Sequence, residues 1–303
     1  MDDTLNITLN ELKDRLEAEK YIADDSIIIP LFLALKLGKP LLITGAAGVG
    51  KTEIAKVVAK IFDMELIRLQ CYEGLDENKA LYEWNYQKQL LHIQSRNQTG
   101  GDDDIFSEEY LLSRPVLKAL RADKKCVLLI DEIDKTDAEF EAFLFEVLSD
   151  FQVSVPEWGT IKAKHIPIVI LTSNGERELS DGMKRRSVYL NISYPSIDKE
   201  IAIINAKVPE LGPELTRQLA RGTAYLRNEL TLRKSPSIAE ALDWANSLVQ
   251  FDADRFSEKL IEDTMNLLLK DEEDFEEYHR RGGAGKMIRS MVKDSSDPDL
   301  IRE

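Results

Sequence analysis

The sequence predicts an α/β core built on a five-stranded parallel sheet, followed by an all-helical C-terminal region. Three observations carry that expectation. Five apolar runs of strand character alternate with helical segments between residues 41 and 192, the pattern of a parallel sheet covered on both faces. The first run feeds a glycine-rich loop and then a helix. Strand signals stop at Tyr194-Pro195-Ser196, so residues 1–193 are expected to form the core and 194–303 a helical lid and tail.

The elements follow in order. Residues 9–19 read as an amphipathic helix with Leu12 and Leu16 on one side. Asp24, Asp25 or Ser26 caps a second helix through Ile28, Leu31, Leu33 and Leu35, which Gly38-Lys39-Pro40 ends. Strands are expected at 41–44, 65–69, 126–130, 166–171 and 187–192. Residues 151–163 alternate apolar and polar side chains around a Pro/Gly turn, which predicts an inserted β-hairpin. Beyond the boundary, helices are expected near 198–207, 213–229, 235–250 and 256–270.

Composition narrows the function classes. With 55 acidic and 40 basic residues the formal charge is -15, which argues against nucleic acid as a default partner, because such binding needs a basic face. The acidic runs Asp102-Asp103-Asp104 and Asp271-Glu272-Glu273-Asp274, the latter followed by Glu276 and Glu277, read as solvated faces. The two cysteines, Cys71 and Cys126, sit beside apolar runs and read as buried thiols of a reducing compartment. The start Met-Asp-Asp-Thr lacks an export pattern, and no apolar run reaches a membrane-spanning length, so a cytoplasmic protein with no membrane span is expected.

The run Leu41-Leu42-Ile43-Thr44-Gly45-Ala46-Ala47-Gly48-Val49-Gly50-Lys51-Thr52 matches the phosphate-binding pattern G-x-x-x-x-G-K-[ST]. Its glycines allow backbone N–H groups to turn inward on an anion. Glu53 to Phe62 continue as a helix whose N-terminal dipole faces the phosphates. Lys51 is placed to neutralise the β and γ phosphates, and the Thr52 hydroxyl to ligate Mg²⁺.

A second strand ends in Asp131-Glu132. Asp131 is the candidate Mg²⁺ ligand and Glu132 the candidate for polarising an attacking water. Asp134 extends the acidic cluster, with a helix-capping role as the favoured reading. Asn174 closes the strand Val169-Ile170-Leu171-Thr172-Ser173 and is the candidate γ-phosphate sensor. A short helix then ends in Lys184-Arg185-Arg186; either Arg185 or, preferably, Arg186 is a candidate to reach a neighbouring subunit's nucleotide, with pairing to the helix dipole as the plainer reading. The glycine-rich Arg281-Gly282-Gly283-Ala284-Gly285-Lys286 has no preceding strand and reads as a flexible loop. His92, His165 and His279 show no ligand spacing.

This order of features resembles an AAA+ ATPase with a P-loop NTPase core. Glu73-Gly74-Leu75-Asp76, Tyr82-Glu83-Trp84-Asn85-Tyr86, Arg114-Pro115, Asp131-Glu132-Ile133-Asp134, Pro156-Glu157-Trp158-Gly159-Thr160, Arg177-Glu178-Leu179-Ser180-Asp181 and Ala239-Glu240-Ala241-Leu242-Asp243-Trp244 look like the MoxR branch. Within it they are most similar to the subgroup of the maturation ATPase of carbon monoxide dehydrogenase. The resemblance implies strand order 5-1-4-3-2, ATP and Mg²⁺ as cofactors, and a hexameric ring that hydrolyses ATP at subunit boundaries. It also implies a protein client, a partner with a von Willebrand factor A domain, an inserted hairpin around Leu81 to Ile93 and adenine contacts from Tyr21-Ile22-Ala23. Where most MoxR relatives have Ser-Pro-Arg, this chain has Ser235-Pro236-Ser237, with Arg233 or Lys234 as possible substitutes. Competing functions are a nucleotide-gated scaffold with little turnover and, less favoured by charge, a DNA-dependent motor.

Overall fold

The computed structural model describes residues 6–96, 110–155 and 159–292. The chain divides into two compact units, one holding the residues up to Glu19, Ala23–Gly45 and Lys51–Ile192, the other Lys20–Ile22, Ala46–Gly50 and the chain from Ser193 on.

In the first unit, α1 (Leu9–Ala18) starts from a Thr8–Glu11 capping box and buries Leu12 and Leu16. α2 (Asp25–Leu37) is capped by Asp24 and stops at Gly38, whose φ of 62° suits glycine. There follow β1 (Leu41–Thr44), α3 (Lys51–Ile61), β2 (Leu66–Gln70), α4 (Glu77–Leu81), β3 (Tyr82–Trp84), α5 (Tyr86–Arg96), β4 (Leu111–Ser113) and α6 (Pro115–Arg121). The unit continues with β5 (Val127–Asp131), α7 (Ala138–Asp150), β6 (Gln152–Val155), β7 (Gly159–Lys162), β8 (Ile168–Ser173), α8 (Asp181–Arg186) and β9 (Val188–Asn191).

Five of these strands form one sheet in the order β2-β5-β8-β1-β9, every neighbouring pair parallel. Numbered one to five along the chain, its members run 2-3-4-1-5, or 5-1-4-3-2 from the opposite edge. All five residues of β5 are buried, as an apolar strand covered on both faces must be. The parallel arrangement brings the carboxyl ends of β1, β5 and β8 to one edge, and the polar residues collect there.

β6 and β7 pair antiparallel as the expected hairpin; its turn residues Pro156, Glu157 and Trp158 lie outside the described residues, as does the run Asp102-Asp103-Asp104. The hairpin expected around Leu81 to Ile93 takes a different form. β3 pairs with the distant β4, and residues 86–96 are helical. Asn85 makes the switch: its side chain accepts from Lys88 N at 3.0 Å, and its carbonyl accepts from Gln89 N at 3.0 Å, an N-cap that ends the extended run. Trp84 is buried and meets Tyr82 edge-on with ring centroids 6.0 Å apart, while Tyr86 is exposed.

The second unit is helical, with α9 (Ile197–Lys207), α10 (Pro213–Glu229), α11 (Ile238–Gln250), α12 (Glu258–Thr264), α13 (Glu272–Arg280) and α14 (Gly283–Val292). Trp244 lies fully buried in its core, its indole donating to Thr264 Oγ1 at 2.8 Å. Two expectations are corrected here. The glycine-rich stretch 282–285 begins a helix, because Ala284, Met287 and Met291 are buried and Glu262 accepts from Ala284 N at 3.2 Å; side-chain burial outweighs the cost of glycine in a helix. The acidic run is not wholly a solvated face. Asp274 and Glu277 are buried, Asp274 accepting from Arg233 N and Lys234 N, Glu277 from Arg280 and Arg281.

Among the described residues, no helix is long and apolar enough to cross a membrane. Cys71 and Cys126 are free and buried. No group of three His, Cys, Asp or Glu side chains among them is placed to hold a metal ion, and His92 instead meets Tyr110 OH through Nδ1.

Candidate functional site

The site begins at β1, whose residues Leu41, Leu42 and Ile43 are fully buried between β8 and β9. The chain then turns through Gly48 and Gly50 at φ of 74° and 94°, conformations that a side chain resists. Val49 is buried, Ala46 is half-buried and Ala47 is exposed. α3 opens at Lys51, with Glu53 paired to Lys56 on its first turn.

Lys51 is 6% exposed, and Nζ donates to Gly45 O and to Asn174 Oδ1, each at 2.7 Å. Burial pushes its ammonium below the usual lysine value, against the opposing pull of Asp134, Asp131 and Glu132. An ammonium held in this way suits the outer oxygens of a bound phosphate. Beside it, Thr52 Oγ1 donates to Asp131 Oδ1 at 3.0 Å. Hydroxyl and carboxylate are hard oxygen donors at short separation, which suits Mg²⁺ completed by water and phosphate oxygens. A cleft of about 410 Å³ opens at this edge, lined by Thr44, Gly45, Asn174, Lys184, Tyr189 and Asn191 among others.

Asp131 is 3% exposed, and its oxygens are held from three elements. Thr52 on α3 and Thr172 on β8 donate to Oδ1; Arg68 on β2 donates to Oδ2 through Nε at 3.1 Å and NH2 at 2.6 Å. Thr172 Oγ1 also accepts from Glu132 N at 2.9 Å. Glu132 itself takes the left-handed conformation, φ 58° and ψ 49°, a strained backbone for a residue with a Cβ. Its Oε2 accepts from Gln70 Nε2 at 3.1 Å and from Lys135 Nζ at 2.6 Å.

Asp134 is not a helix cap. It is buried, and Oδ2 accepts from Asn174 N at 3.0 Å and Glu176 N at 2.9 Å, fixing the backbone that follows β8; Oδ1 has no partner among the described residues. Arg177 braces the same turn, donating to Thr136 O at 3.0 Å and to buried Glu141 at 2.9 Å. Lys51, Thr52, Asp131, Glu132 and Asn174 are therefore one constellation. Arg68, Gln70, Lys135 and Thr172 complete it and were not anticipated from the sequence.

The other candidates make contacts of their own. Arg186 stacks on Phe145 with its guanidinium 4.3 Å from the ring centroid and donates to Ser149 Oγ. Arg185 is exposed. Ile22 and Ala23 are half-buried in the connection from α1 to α2. In the second unit, Ser237 caps α11, and a Cβ at Gly48 would lie 2.4 Å from the Ser237 side chain. Arg233 is paired with Asp271 and Glu273 at 3.3 and 3.5 Å, and Lys234 stands 4.0 Å from Glu240.

Comparison with known proteins agrees with this fold. The chaperone protein ClpB of Bacillus cereus is 28% identical over 143 residues, 46% of this chain and 14% of ClpB. The uncharacterized protein YojN of Bacillus subtilis is 29% identical over 178 residues, 56% of this chain and 53% of YojN. This chain thus spans only a small part of the ClpB length it matches. A point mutant of Thermotoga maritima RuvB superposes with a TM-score of 0.51 at 16% identity, covering 87% of this chain and 76% of RuvB, a likeness of fold. Residues 41–193 match the family described as ATPase family associated with various cellular activities. The chain belongs to that family, the AAA ATPases.

Proposed function

We propose that this AAA ATPase binds ATP with Mg²⁺ at the Lys51 constellation and uses hydrolysis in a hexameric ring to remodel a protein client, in the manner of a MoxR-type maturation chaperone. The observation that carries the reading is the convergence of Lys51 on Asn174 while Thr52 reaches Asp131, four residues from three segments focused on one spot.

The chemistry follows from the donors. The phosphates lie over the amides of Gly45, Ala46, Ala47, Gly48, Val49 and Gly50, and Lys51 neutralises their outer oxygens. Because Asn174 Oδ1 faces Lys51, its amide NH₂ is left to donate to the γ-phosphate. Thr52 and Asp131 would hold Mg²⁺, which would supply further charge neutralisation. Glu132 polarises the water that attacks phosphorus in line, the bond to the β–γ bridging oxygen breaks, and ADP leaves. Arg186 or Arg185 of a neighbouring copy would stabilise the charge that develops.

Substitution tests it. Glu132→Gln should retain ATP binding and lose turnover, while Lys51→Ala loses binding; hydrolysis by Glu132→Gln at the wild-type rate sinks the assignment. A second reading, a nucleotide-gated scaffold, draws on one observation: Glu132 Oε2 is held by both Gln70 and Lys135, a restraint on the carboxylate that a partner's binding would have to relieve before turnover. Phosphate release measured with and without a von Willebrand factor A domain partner separates the two. Steady turnover by the chain alone excludes the scaffold.

A further inference from the structure

Arg68 is the third residue of β2, at the edge of the sheet, where Gln70 stands opposite Asp131 in register. Its guanidinium is half in water, with 51% of the side chain exposed, yet it reaches an Asp131 side chain that is 4% exposed. The two oxygens of that carboxylate are shared unequally. Oδ1 receives Thr52 and Thr172, whereas Oδ2 receives both Nε and NH2 of Arg68 and only the longer 3.3 Å contact from Thr52. The same NH2 donates to Gln70 Oε1, and Gln70 Nε2 donates to Glu132. One arginine therefore orients the carboxylate beside Thr52 directly and the next acid through a single amide.

A guanidinium and a divalent cation cannot both sit on Oδ2 without strong mutual repulsion. Thr52 and Thr172 are fixed by α3 and β8, but Arg68 has water to retreat into, so it is the partner that yields. Until then it provides the counter-charge that a buried carboxylate requires.

We infer that Arg68 is a positioning residue that keeps Asp131 in place for Mg²⁺ and is displaced by the ion as it binds, and that its departure frees Gln70 and loosens Glu132. This rests on the ATP and Mg²⁺ reading of the site. Arginine is suited to the task because its fork can serve Asp131 and Gln70 together, which a lysine point charge does less well.

The test measures binding of a non-hydrolysable fluorescent ATP analogue by the full chain as Mg²⁺ is titrated, for wild type, Arg68→Met and Arg68→Lys. Arg68→Met should lower the Mg²⁺ concentration for half-maximal effect about fivefold, the scale of one partly exposed charge pair, and Arg68→Lys should lie nearer wild type. An unchanged or raised Mg²⁺ demand in Arg68→Met overturns the inference. Thermal unfolding adds a readout free of activity. In chelator Arg68→Met should melt below wild type, and the gap should close once Mg²⁺ and the analogue are present; a gap that persists marks Arg68 as purely structural. Failure of wild type to bind the analogue, in the way expected of Lys51→Ala, would instead defeat the reading of the whole site.

Discussion

Lys51 Nζ stands 2.7 Å from Asn174 Oδ1, although the two residues are 123 positions apart in the chain. The contact exists because β1 and β8 are parallel neighbours, with Thr44 opposite Ser173 at their carboxyl ends. The lysine after the loop and the amide after the strand are thereby delivered to the same place. Asn174→Ala should keep nucleotide affinity within a few-fold and lower kcat about a hundredfold, the cost of losing one donor to developing charge. Fluorescent nucleotide binding beside phosphate release distinguishes this from Lys51→Ala, for which binding itself should fail.

Asp134 acts on that amide from behind, through the Asn174 and Glu176 N–H groups. Asp134→Ala leaves both donors without their acceptor and should lower stability by about 1.5–3 kcal/mol, the range for hydrogen bonds to a charged group. Urea unfolding reads the loss directly. A drop in kcat exceeding that of Asn174→Ala would show that the whole turn has shifted, not only its side chain.

How much of this was visible beforehand follows from the range of each signal. The phosphate loop, Asp131, Glu132 and Asn174 are legible because each is tied to the end of an apolar strand, a local pattern. Arg68, Gln70 and Thr172 carry no such mark. Their importance depends on β2 and β8 flanking β5, with Gln70 set opposite Asp131, and strand pairing is a non-local fact. The family resemblance implies a hairpin around Leu81 to Ile93, yet Asn85 caps a helix within that stretch. The helix at Gly283 was hidden for a different reason. Its glycines disfavour helix locally, but Gly222 on α10 leaves room for Met287 and Met291, whose terminal methyls lie 2.9 and 2.4 Å from where a Cβ would stand.

The second unit holds a buried ion pair whose loss should be costly. Glu200 is fully buried and accepts from Arg227 NH1 and from NH2 at 3.1 Å, while Thr223 Oγ1 donates to it at 2.9 Å. Arg227 also donates to Pro236 O at 2.6 Å and lies over the Tyr194 ring at 5.1 Å. Glu200→Ala strands a buried guanidinium and should cost about 3–5 kcal/mol, with Glu200→Gln milder because it keeps an acceptor. Denaturant midpoints of the two variants check the order.

The thiols give a pH-dependent expectation. Burial, reinforced by Asp131, pushes Cys71 up to about 12, and burial pushes Cys126 up to about 11. A raised thiol pKa keeps the neutral form through the ordinary range, and the thiolate is the reactive species. At pH 8 the native protein should resist alkylation at both positions, and denaturant should expose two reactive thiols. Rapid labelling of Cys71 in the native state would contradict its 1% exposure.

Arg186 offers the sharpest test of a shared site. Within its own chain it is folded onto Phe145 and Ser149, turned to a neighbouring helix and not to Lys51. Arg186 is itself exposed, and a cation–π contact at an exposed site is worth only about 0.5–1 kcal/mol, so a nucleotide on an adjacent copy could recruit the guanidinium at small cost. Arg186→Ala should then reduce turnover by about a thousandfold or more, the scale of an arginine supplied in trans, without weakening nucleotide binding. Lys51→Ala should be inactive for the opposite reason. Mixing the two inactive proteins places an intact phosphate loop beside an intact arginine at some boundaries, and phosphate release should reappear in proportion to mixed pairs. If the mixture stays as inactive as its parts while Arg185→Ala behaves as wild type, Arg186 acts within its own subunit and the shared-site reading falls.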